Sequence, residues 1–334
     1  MTPLEIAGLR IDPPFVLAPM AGLTHAAFRE LVAHYGGCGL FYTEMLNSRA
    51  LCTNDPARDP YCLTGSRDRP LAAQVAGNEP EKICRAFQRL QATGRYDLFD
   101  FNLGCPRGAI QRYGWGARLL VRIDLCREIL HESRKVLEKP FMVKMRTPGR
   151  GDEGLWHRWV EILEQAGVDG VTLHPRTPQD LFKRPARWEE IGFLARHTRL
   201  PVVGNGDVFS PHDALRMMER TGCRAVMVGR AAVMRPWIFR DMASCLQGGT
   251  VLPAPDPVEV VDLYWALVQQ WLPEKLHEDR VRLFLFWLCQ NFPYGVHYFN
   301  RIRRRKTPSA MVEKARELLA KEKFPGYPVR PLMS

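Results

Sequence analysis

Eight short apolar runs alternate with amphipathic stretches through the first two-thirds of the chain, and this alternation limits the fold more than any other feature. The runs are Phe15–Met20, Leu40–Met45, Leu71–Ala76, Leu98–Leu103, Phe141–Arg146, Gly170–His174, Val202–Asp207 and Ala225–Gly229. Between them, in stretches such as EKICRAFQRLQA and WHRWVEILEQAG, apolar residues recur at helical spacings of three and four. Such a βα alternation indicates either a (β/α)8 barrel or an open, doubly wound sheet.

The positions of polar and small residues favour the barrel. Nearly every run ends in or near such a residue: Pro19, Glu44, Gln74, Asn102, Lys144, His174, Asn205 and Gly229. In a barrel, the carboxyl ends of all the strands meet on one face, which is where active sites lie. Eight units over about 240 residues also match the usual size of this fold. We therefore predict an α/β fold, with a (β/α)8 TIM barrel over residues 1–247.

The pattern changes after Gln247. The segment GGTVLPAPDP is rich in Gly and Pro and is typical of a linker. Beyond it only helical periodicity remains, at Val258–Trp271, His277–Asn291 and Ser309–Glu322. The segment NRIRRRK between the last two helices holds five basic residues in seven. We predict a small all-helical C-terminal domain over residues 256–334, with a basic edge.

Composition restricts the surroundings and the partners. The formal charge of +11 favours a polyanionic partner, although charge alone does not establish one. Nine cysteines without any C-x-x-C pair argue against a disulfide framework and a zinc site, and fit the reducing cytoplasm. Neither an apolar run long enough to span a membrane nor a signal peptide is evident. We expect a cytoplasmic monomer without a metal ion and without a membrane contact.

Cys105, in the segment FNLGCP, is the strongest catalytic candidate. A strand ends near Asn102, a glycine permits a tight turn, and Pro106 restrains the backbone after the cysteine. A thiol at the rim of a barrel can donate a proton, accept one, or attack as a thiolate. The alternative is a structural thiol packed beneath a loop, as is common for free cysteine. The place of Cys105 at a strand end favours a functional role.

Two further strands end in residues that packing explains poorly. Lys144, in VKMR, is predicted to point into the barrel mouth, where an unpaired charge is costly unless an anionic or electron-rich partner compensates it. His174 and Arg176, in LHPRT, end the next strand in the same way. A single histidine is more often structural. Lysine, histidine and cysteine at matching strand ends together favour a functional site.

The last two strands end in a candidate phosphate site. Asn205, Gly206 and Asp207 follow the seventh strand, and Gly229 and Arg230 follow the eighth. Loops after these two strands commonly hold phosphate groups in barrels of this kind. Glycine lets the backbone approach a ligand, and an arginine can donate two hydrogen bonds to phosphate oxygens. No G-x-G-x-x-G follows the first strand, so a Rossmann dinucleotide site has no support.

With these residues placed, the sequence resembles the tRNA-dihydrouridine synthase family over nearly its whole length. The shared motifs are APMAGLTHAAFR, QVAG, NLGCP, YGWGARLL, VKMR, LHPRT, VVGNGDV and AVMVGRAAVMRPWIF, followed by the tail segment WLCQNFPYGVHYFNRIRRRK. Each motif alone occurs in other flavin barrels. The order of NLGCP, VKMR, HPRT and NGD is specific to this family.

The resemblance implies FMN as the cofactor and NADPH, or NADH, as the reductant. Pro19, Met20 and Ala21 would line the flavin ring; Gln74, Lys144 and His174 would contact its polar edge; Asn205, Gly206, Asp207, Gly229 and Arg230 would hold its phosphate. Hydride would pass from flavin N5 to C6 of a uracil in tRNA, and Cys105 would protonate C5. Asn102 would help to place the uracil, and Arg176 would contact the base or its backbone. The tail, with Arg303, Arg304 and Arg305, would bind the tRNA.

Two places in the sequence depart from the family pattern. Pro175 replaces the usual glycine, and the loop Asp180–Trp188 carries Arg184 and Arg187 where a small residue and an acid are more usual.

Two other functions remain open. One is an FMN-dependent oxidoreductase of a small molecule such as dihydroorotate, which would not need a basic tail. The other is a catalytically silent RNA-binding protein, which the presence of Cys105 and Lys144 disfavours.

Overall fold

The computed structural model describes residues 3–328 and 330–331 and contains eight parallel strands that form a barrel. A small antiparallel hairpin of β1 (Leu4–Ile6) and β2 (Leu9–Ile11) precedes it. The barrel strands are β3 (Phe15–Leu17), β4 (Phe41–Asn47), β5 (Leu71–Ala76), β6 (Leu98–Leu103), β7 (Phe141–Arg146), β8 (Gly170–His174), β9 (Val202–Asn205) and β10 (Ala225–Val228). Each pairs in parallel with its neighbour, and β10 pairs with β3. A single bridge from Val16 to Leu40 joins β3 to the start of β4 and closes the ring.

Helices connect and follow the barrel strands, and most of them cover the outside of the barrel. They are α1 (Ala26–Tyr35), α2 (Ser48–Thr53), α3 (Pro80–Gln91), α4 (Gly108–Arg112), α5 (Ile123–Val136), α6 (Glu153–Gln165), α7 (Trp188–His197), α8 (Pro211–Thr221), α9 (Arg230–Met234) and α10 (Ile238–Leu246). Short 3-10 helices lie at Pro60–Cys62, Gly116–Val121, Pro178–Asp180 and Glu274–Leu276. None of the helices in the described residues is long and apolar enough to cross a membrane.

The barrel prediction is confirmed, and its strands are buried on both faces. Leu98, Met142, Val203 and Met227 pack inside the barrel, whereas alternate strand residues such as Phe99 pack against the helices. This burial of both faces explains why the strands read as nearly continuous apolar runs. Four predicted strands have the observed bounds, namely β5, β6, β7 and β8.

Two details of the predicted barrel need correction. Gln74 and Lys144 do not end their strands but lie two residues before the last one. Glu44 is also inside β4, where the register with β5 shifts between Tyr42 and Met45. The sequence pattern marks where polar side chains first appear in a strand. The backbone hydrogen bonds between strands continue beyond those side chains.

Four helices follow the barrel, one more than the three predicted for the C-terminal region. They are α11 (Pro257–Trp271), α12 (His277–Cys289), α13 (Gly295–Ile302) and α14 (Pro308–Leu319). The short helix α13 is not among the predicted helices, because the prediction places only a basic segment there. Tyr264 of α11 stacks on Phe284 of α12 with ring centroids 3.8 Å apart, so these two helices share one apolar interior.

Buried polar contacts fasten these helices to the barrel. The Tyr264 hydroxyl lies 3.3 Å from Nε2 of His25 and donates to the carbonyl oxygen of Arg280 at 3.0 Å. Arg235 Nε, just after α9, donates to Asn291 Oδ1 at 2.9 Å. These contacts hold the helices beside the carboxyl-terminal face of the barrel, so that they can contribute to its mouth.

Candidate active site

A cavity of about 570 Å³ opens at the carboxyl-terminal face of the barrel and gathers most of the predicted site residues. Those that line it are Pro19, Met20, Ala21, Gln74, Asn102, Cys105, Lys144, His174, Asn205, Gly206, Asp207, Gly229 and Arg230. They come from all parts of the first 230 residues and meet because parallel barrel strands end on one face. Arg176 lies beside this cavity rather than in its wall, and Arg303–Arg305 lie elsewhere on the surface.

The cavity wall is strongly cationic. Arg107, Lys144, Arg146 and Arg230 line it, and Asp207 is its only carboxylate among the described residues. Desolvation in the barrel interior lowers the pKa of Lys144 to about 8, and the nearby Arg146 contributes in the same direction. Burial also lowers the pKa of Arg230, which Asp207 partly opposes. Positive charges held at such a cost indicate a site for an anionic ligand.

Asp207 anchors the arginines of this site. Arg176 Nη2 lies 2.8 and 2.7 Å from its two carboxylate oxygens, and Arg230 Nη2 donates to Oδ1 at 3.0 Å. The backbone NH of Ala186 donates to Oδ2 at 2.8 Å. Gly206, with φ of +118°, precedes Asp207, with φ of +54°, and this left-handed backbone turns the carboxylate toward the arginines. Asp207 therefore fixes the orientation of Arg176 and Arg230. In this way a carboxylate can contribute to a site for an anion without contacting the anion itself.

Lys144 of β7 is held in place by a side chain of β9, the next strand but one in the barrel. Its Nζ donates to Asn205 Oδ1 at 3.1 Å, while Asn205 Nδ2 donates to the carbonyl oxygen of Met227 at 2.8 Å. The backbone carbonyl accepts and cannot donate, so it fixes the orientation of the Asn205 amide. Two of the three ammonium hydrogens of Lys144 have no protein acceptor among the described residues. They are available to a ligand.

His174 is a neutral hydrogen-bond acceptor at this site. Desolvation lowers its pKa well below the usual value, and the positive charges of Lys144, Arg146, Arg176 and Arg230 add to the effect. Its Nε2 lies 3.0 Å from Arg176 Nη1, which can only donate, so the ring proton belongs on Nδ1. A Cβ on Gly206 would come within 3.0 Å of the His174 ring, so a larger residue there would crowd it.

Cys105 is presented to the cavity by a tightly held turn. The backbone NH groups of Gly104 and Cys105 both donate to Asn102 Oδ1, at 3.2 and 3.0 Å. The carbonyl oxygen of Cys105 accepts from the NH of Ala117 at 3.1 Å. At Gly116, where φ is +61°, a Cβ would lie 2.8 Å from that carbonyl oxygen. The thiol is partly exposed and faces the same space as Lys144.

Several residues of the cavity wall escape sequence reasoning. Arg146 Nε donates to the carbonyl oxygen of Gly104 at 3.0 Å, and its Nη1 donates to Thr177, so it ties the cysteine turn to the loop after β8. Phe182 from that loop lies 4.6 Å from the Arg230 guanidinium, and Phe286 and Trp287 of α12 complete the rim. The VKMR motif marks Arg146 on the sequence, but its partners depend on how the loops pack.

The unusual basic loop after β8 is organised around one carboxylate. Asp180 caps the turn through the backbone NH and hydroxyl of Thr177, both at 2.9 Å. Arg187 Nη1 lies 3.0 Å and Arg184 Nε 3.7 Å from its oxygens. Hydrogen bonds from Thr177 and Arg187 lower the pKa of Asp180 to about 2, against the opposite effect of burial. Both arginines that depart from the family pattern thus pair with Asp180.

Two sets of exposed basic residues lie on the surface, and of these only Arg107 also lines the cavity. Arg303, Arg304 and Arg305 follow α13 and are exposed. A second set, which the sequence analysis does not single out, follows Cys105: Arg107, Arg112, Arg118 and Arg122 are all exposed. None of these seven has a carboxylate within salt-bridge distance among the described residues, whereas many other exposed arginines do. The described residues also contain no group of three or more His, Cys, Asp or Glu placed to hold a metal ion.

Fold and site together define a (β/α)8-barrel enzyme with a cationic mouth and a thiol at its rim. Comparison with known proteins identifies the family. The family model described as dihydrouridine synthase (Dus) matches residues 16–323. The tRNA-dihydrouridine synthase B of Pseudomonas aeruginosa is 29% identical over 98% of both chains. A probable tRNA-dihydrouridine synthase of Mycobacterium tuberculosis is 32% identical over 87% of this chain and 78% of its own.

The chain therefore belongs to the dihydrouridine synthase family and is an oxidoreductase of that class. Solved structures support the fold. The structure of morphinone reductase in complex with tetrahydroNAD is similar with a TM-score of 0.52 and 13% identity, covering 78% of this chain and 93% of the other. At that identity the likeness concerns the barrel fold only.

Proposed function

We propose that this protein is an FMN-dependent tRNA-dihydrouridine synthase, which uses NADPH or NADH to reduce the C5=C6 double bond of specific uridines in tRNA. One observation carries the proposal: the thiol of Cys105 and the cationic group of Lys144 face one cavity that holds four basic side chains and a single carboxylate. Such a cavity suits an anionic cofactor beside a proton donor. Membership of the family supports the reaction.

The residues present fit FMN. Its phosphate carries about two negative charges at neutral pH, as phosphate monoesters do, which the excess of cations in the wall would compensate. Arg230, oriented by Asp207, would donate to the phosphate oxygens, together with Asn205 and the backbone near Gly206 and Gly229. A Cβ at Gly229 would make ordinary van der Waals contacts of 3.6 Å with Ala18 and Met20, but it would cover backbone that glycine leaves open to a ligand.

The flavin ring would lie across the barrel mouth. Pro19, Met20 and Ala21 would line one side of it, and Gln74, Lys144 and His174 would contact its polar edge. Lys144 offers two unused ammonium hydrogens to an electron-rich edge, and the neutral His174 offers Nδ1–H. When bound, reduced FMN supplies a hydride for C6 of the uracil. The reductant is NADPH in our proposal, with NADH as the alternative.

Cys105 would complete the reaction as a general acid. Hydride addition at C6 leaves negative charge that extends over C5 and the C4 carbonyl, so a proton must be delivered to C5. Asn102 keeps one amide hydrogen beyond the one that it donates to Gln74, and this hydrogen could hold the base. The predicted contact of Arg176 with the substrate stays a prediction. Its hydrogen bonds to Asp207 and His174 indicate that it also positions these two residues.

The substrate base must leave the folded RNA to reach the cavity. An enzyme that modifies a base flips it out of its stack, and the phosphate backbone is held by basic side chains. We propose that residues 256–334 form a tRNA-binding domain with Arg303, Arg304 and Arg305 at its edge. The exposed Arg107, Arg112, Arg118 and Arg122 would continue this surface beside Cys105.

The nine free cysteines support a cytoplasmic enzyme, which we propose to act as a monomer without a metal ion. Purified protein should be yellow and should release FMN on denaturation. With NADPH and an unmodified tRNA transcript it should form dihydrouridine, and tRNA from a deletion strain should lack it at the same positions. Oxidation of dihydroorotate or reduction of an enone, with no change in tRNA, would instead indicate the small-molecule oxidoreductase. Tight tRNA binding by a colourless protein would indicate an RNA-binding protein without catalysis.

A further inference from the structure

A continuous chain of buried side-chain amides leads from the barrel interior to the cysteine turn. Asp100 Oδ2 accepts from Gln74 Nε2 at 2.7 Å, and Gln74 Oε1 accepts from Asn102 Nδ2 at 2.7 Å. Asn102 Oδ1 then accepts from the backbone NH groups of Gly104 and Cys105. Asp100 and Gln74 are fully buried, and Asn102 is 6% exposed. The chain therefore runs through a region where lost hydrogen bonds are not replaced by water.

The direction of every bond in this chain is fixed by its backbone end. Backbone NH groups only donate, so Asn102 must present its oxygen to Gly104 and Cys105 and its NH2 to Gln74. Gln74 must then present its oxygen to Asn102 and its NH2 to Asp100. The far end requires an acceptor, and Asp100 is the residue that provides it. The hydrogen bonds of the network therefore determine which side-chain atom of Gln74 and of Asn102 is the nitrogen and which is the oxygen.

Asp100 has few other contacts that account for its place. The Tyr42 hydroxyl lies 3.5 Å from its Oδ1, at the limit of a hydrogen bond, so the bond from Gln74 is the short one. Burial raises the pKa of Asp100 to about 8, with Gln74 and the charge of Lys144 opposing this. A carboxyl group that is protonated keeps one acceptor oxygen. The chain of bonds therefore requires an acceptor at residue 100 and no particular charge.

We propose that Asp100 is a positioning residue: by accepting from Gln74 it fixes the amides of Gln74 and Asn102 and so holds the backbone of Cys105 in place. Asp100 does not touch the substrate or the cofactor site itself. The importance of Cys105 rests on the proposed function, whereas the positioning of its turn does not. The two can therefore fail separately.

The test compares two neutral replacements of similar shape. Asp100→Asn keeps an acceptor for Gln74, whereas Asp100→Leu removes it, and any effect of the lost charge on Lys144 or on the thiol is common to both. Tyr42→Phe removes the weak second contact of Asp100 and serves as a control. The readout is the rate at which iodoacetamide alkylates Cys105 in the purified full-length protein, followed by mass spectrometry of its peptide. The partly exposed Cys52 of α2 provides an internal reference.

We expect Asp100→Leu to change the Cys105 rate by about threefold or more relative to Asp100→Asn, as for the loss of one buried hydrogen bond. Asp100→Asn and Tyr42→Phe should stay close to each other, and Cys52 should be unaffected throughout. Equal Cys105 rates in the Asn and Leu variants, or a change shared by Cys52, would overturn the proposal. If Asp100→Leu does not fold, Gln74→Met can replace it, because this variant interrupts the same hydrogen-bond chain between Asp100 and Asn102. An unchanged alkylation rate of Cys105 in Gln74→Met would also overturn the proposal.

Dihydrouridine formation separates this proposal from the function on which it draws. With tRNA, Asp100→Leu should lower kcat more than Asp100→Asn does and leave KM for tRNA nearly unchanged, because Asp100 is fully buried and does not belong to the proposed RNA surface. A wild-type protein that forms no dihydrouridine, but whose Cys105 rate depends on the acceptor at residue 100, would refute the proposed function and leave the positioning role intact.

Discussion

Arg176 and Asp207 form a bifurcated ion pair beside the barrel mouth, with one guanidinium nitrogen 2.8 and 2.7 Å from the two carboxylate oxygens. The Arg176 side chain is only 3% exposed and Asp207 25%, so little water can replace either partner. The same carboxylate also holds Arg230 and the backbone of Ala186. Asp207 therefore links two arginines at the barrel mouth to the loop that follows β8.

Asp207→Asn should destabilise the protein by about 3 kcal/mol, because it leaves the buried charge of Arg176 without a counter-charge. Urea unfolding measures the change. Asp124→Asn is a matched control: Asp124 and Arg127 also lie 2.8 Å apart, but both are exposed, so the effect should be below about 1 kcal/mol. Equal losses in the two variants would mean that the pair at the barrel mouth contributes no more than a surface pair.

Flavin affinity should fall as pH rises past about 8. Desolvation lowers the pKa of Lys144 to about that value in the cofactor-free protein, so the ammonium that would attract the anionic ligand is lost above it. Buried Asp100 has a raised pKa, also of about 8, and titrates with Lys144 as a coupled pair. Equilibrium titration with FMN between pH 7 and 9.5 measures the effect. The Lys144→Met variant should bind FMN more weakly at pH 7, and its FMN affinity should depend less on pH. A pH dependence equal to that of the wild type would mean that Lys144 does not contribute to FMN binding.

Acid should weaken the attachment of the C-terminal helices through His25. Its Nδ1 accepts from the NH of Phe28 at the start of α1, and burial lowers its pKa well below the usual value of 6.5, with Arg280 and Arg29 adding to the effect. Because the folded pKa lies below the unfolded one, the unfolded chain takes up the proton first. The stability contribution is complete above about pH 6.5 and is lost as pH falls below it.

His25→Asn keeps a side-chain acceptor for the helix start but does not titrate in this range. Urea unfolding at pH 7.5 and 5.5 should show a smaller loss of stability on acidification for this variant than for the wild type. The difference is at most about 1.4 kcal/mol for each pH unit. His174, whose pKa is also lowered, remains in both proteins and accounts for a shared part of the loss. Parallel losses in the two proteins would contradict the assignment to His25.

Replacing Arg303, Arg304 and Arg305 by alanine should weaken tRNA binding and lower the slope of log K against log salt by about two, as expected for three lost phosphate contacts. The control replaces Lys139, Arg199 and Arg224, which are exposed and lie just before strands β7, β9 and β10, at the opposite end of the barrel. Fluorescence anisotropy with tRNA over a range of salt concentrations gives both quantities. Equal slopes of log K against log salt in the two triple variants would mean that Arg303, Arg304 and Arg305 do not belong to the RNA-binding surface.

The barrel and most of its mouth are predictable from the sequence because the relevant residues share one regular element. Lys144, His174 and Asn205 each lie near the carboxyl end of a strand, so placing the strands also places the side chains together. The hairpin at Leu4–Ile11 also has a sequence signal, because Gly8, with φ of +83°, lies in a two-residue turn between short alternating runs. Helix α13 also has a helical period, because Val296, Phe299 and Ile302 lie three residues apart, but the helix has only eight residues and leads directly into the basic segment.

Contacts between elements explain what sequence reasoning misses at the site. Phe182 reaches the cavity because Asp180 and Arg146 fix its loop, and Phe286 does so because α12 packs beside the barrel. Neither arrangement follows from a local pattern. Asp100 is different: strand residues alternate between faces, so Asp100 must share the interior side with Asn102 two residues later. Its place could be predicted, but its role in orienting Gln74 requires the structure.

The two half-reactions of Cys105→Ala test the central claim most directly. Under anaerobic conditions, NADPH should reduce the flavin of this variant at the wild-type rate, because Cys105 does not hold the cofactor in our account. Oxidation of the reduced flavin by unmodified tRNA should slow by about a hundredfold or more, as for loss of a general acid, and dihydrouridine should not accumulate. Wild-type oxidation by tRNA, with normal dihydrouridine formation, would contradict the role of Cys105 as the proton donor.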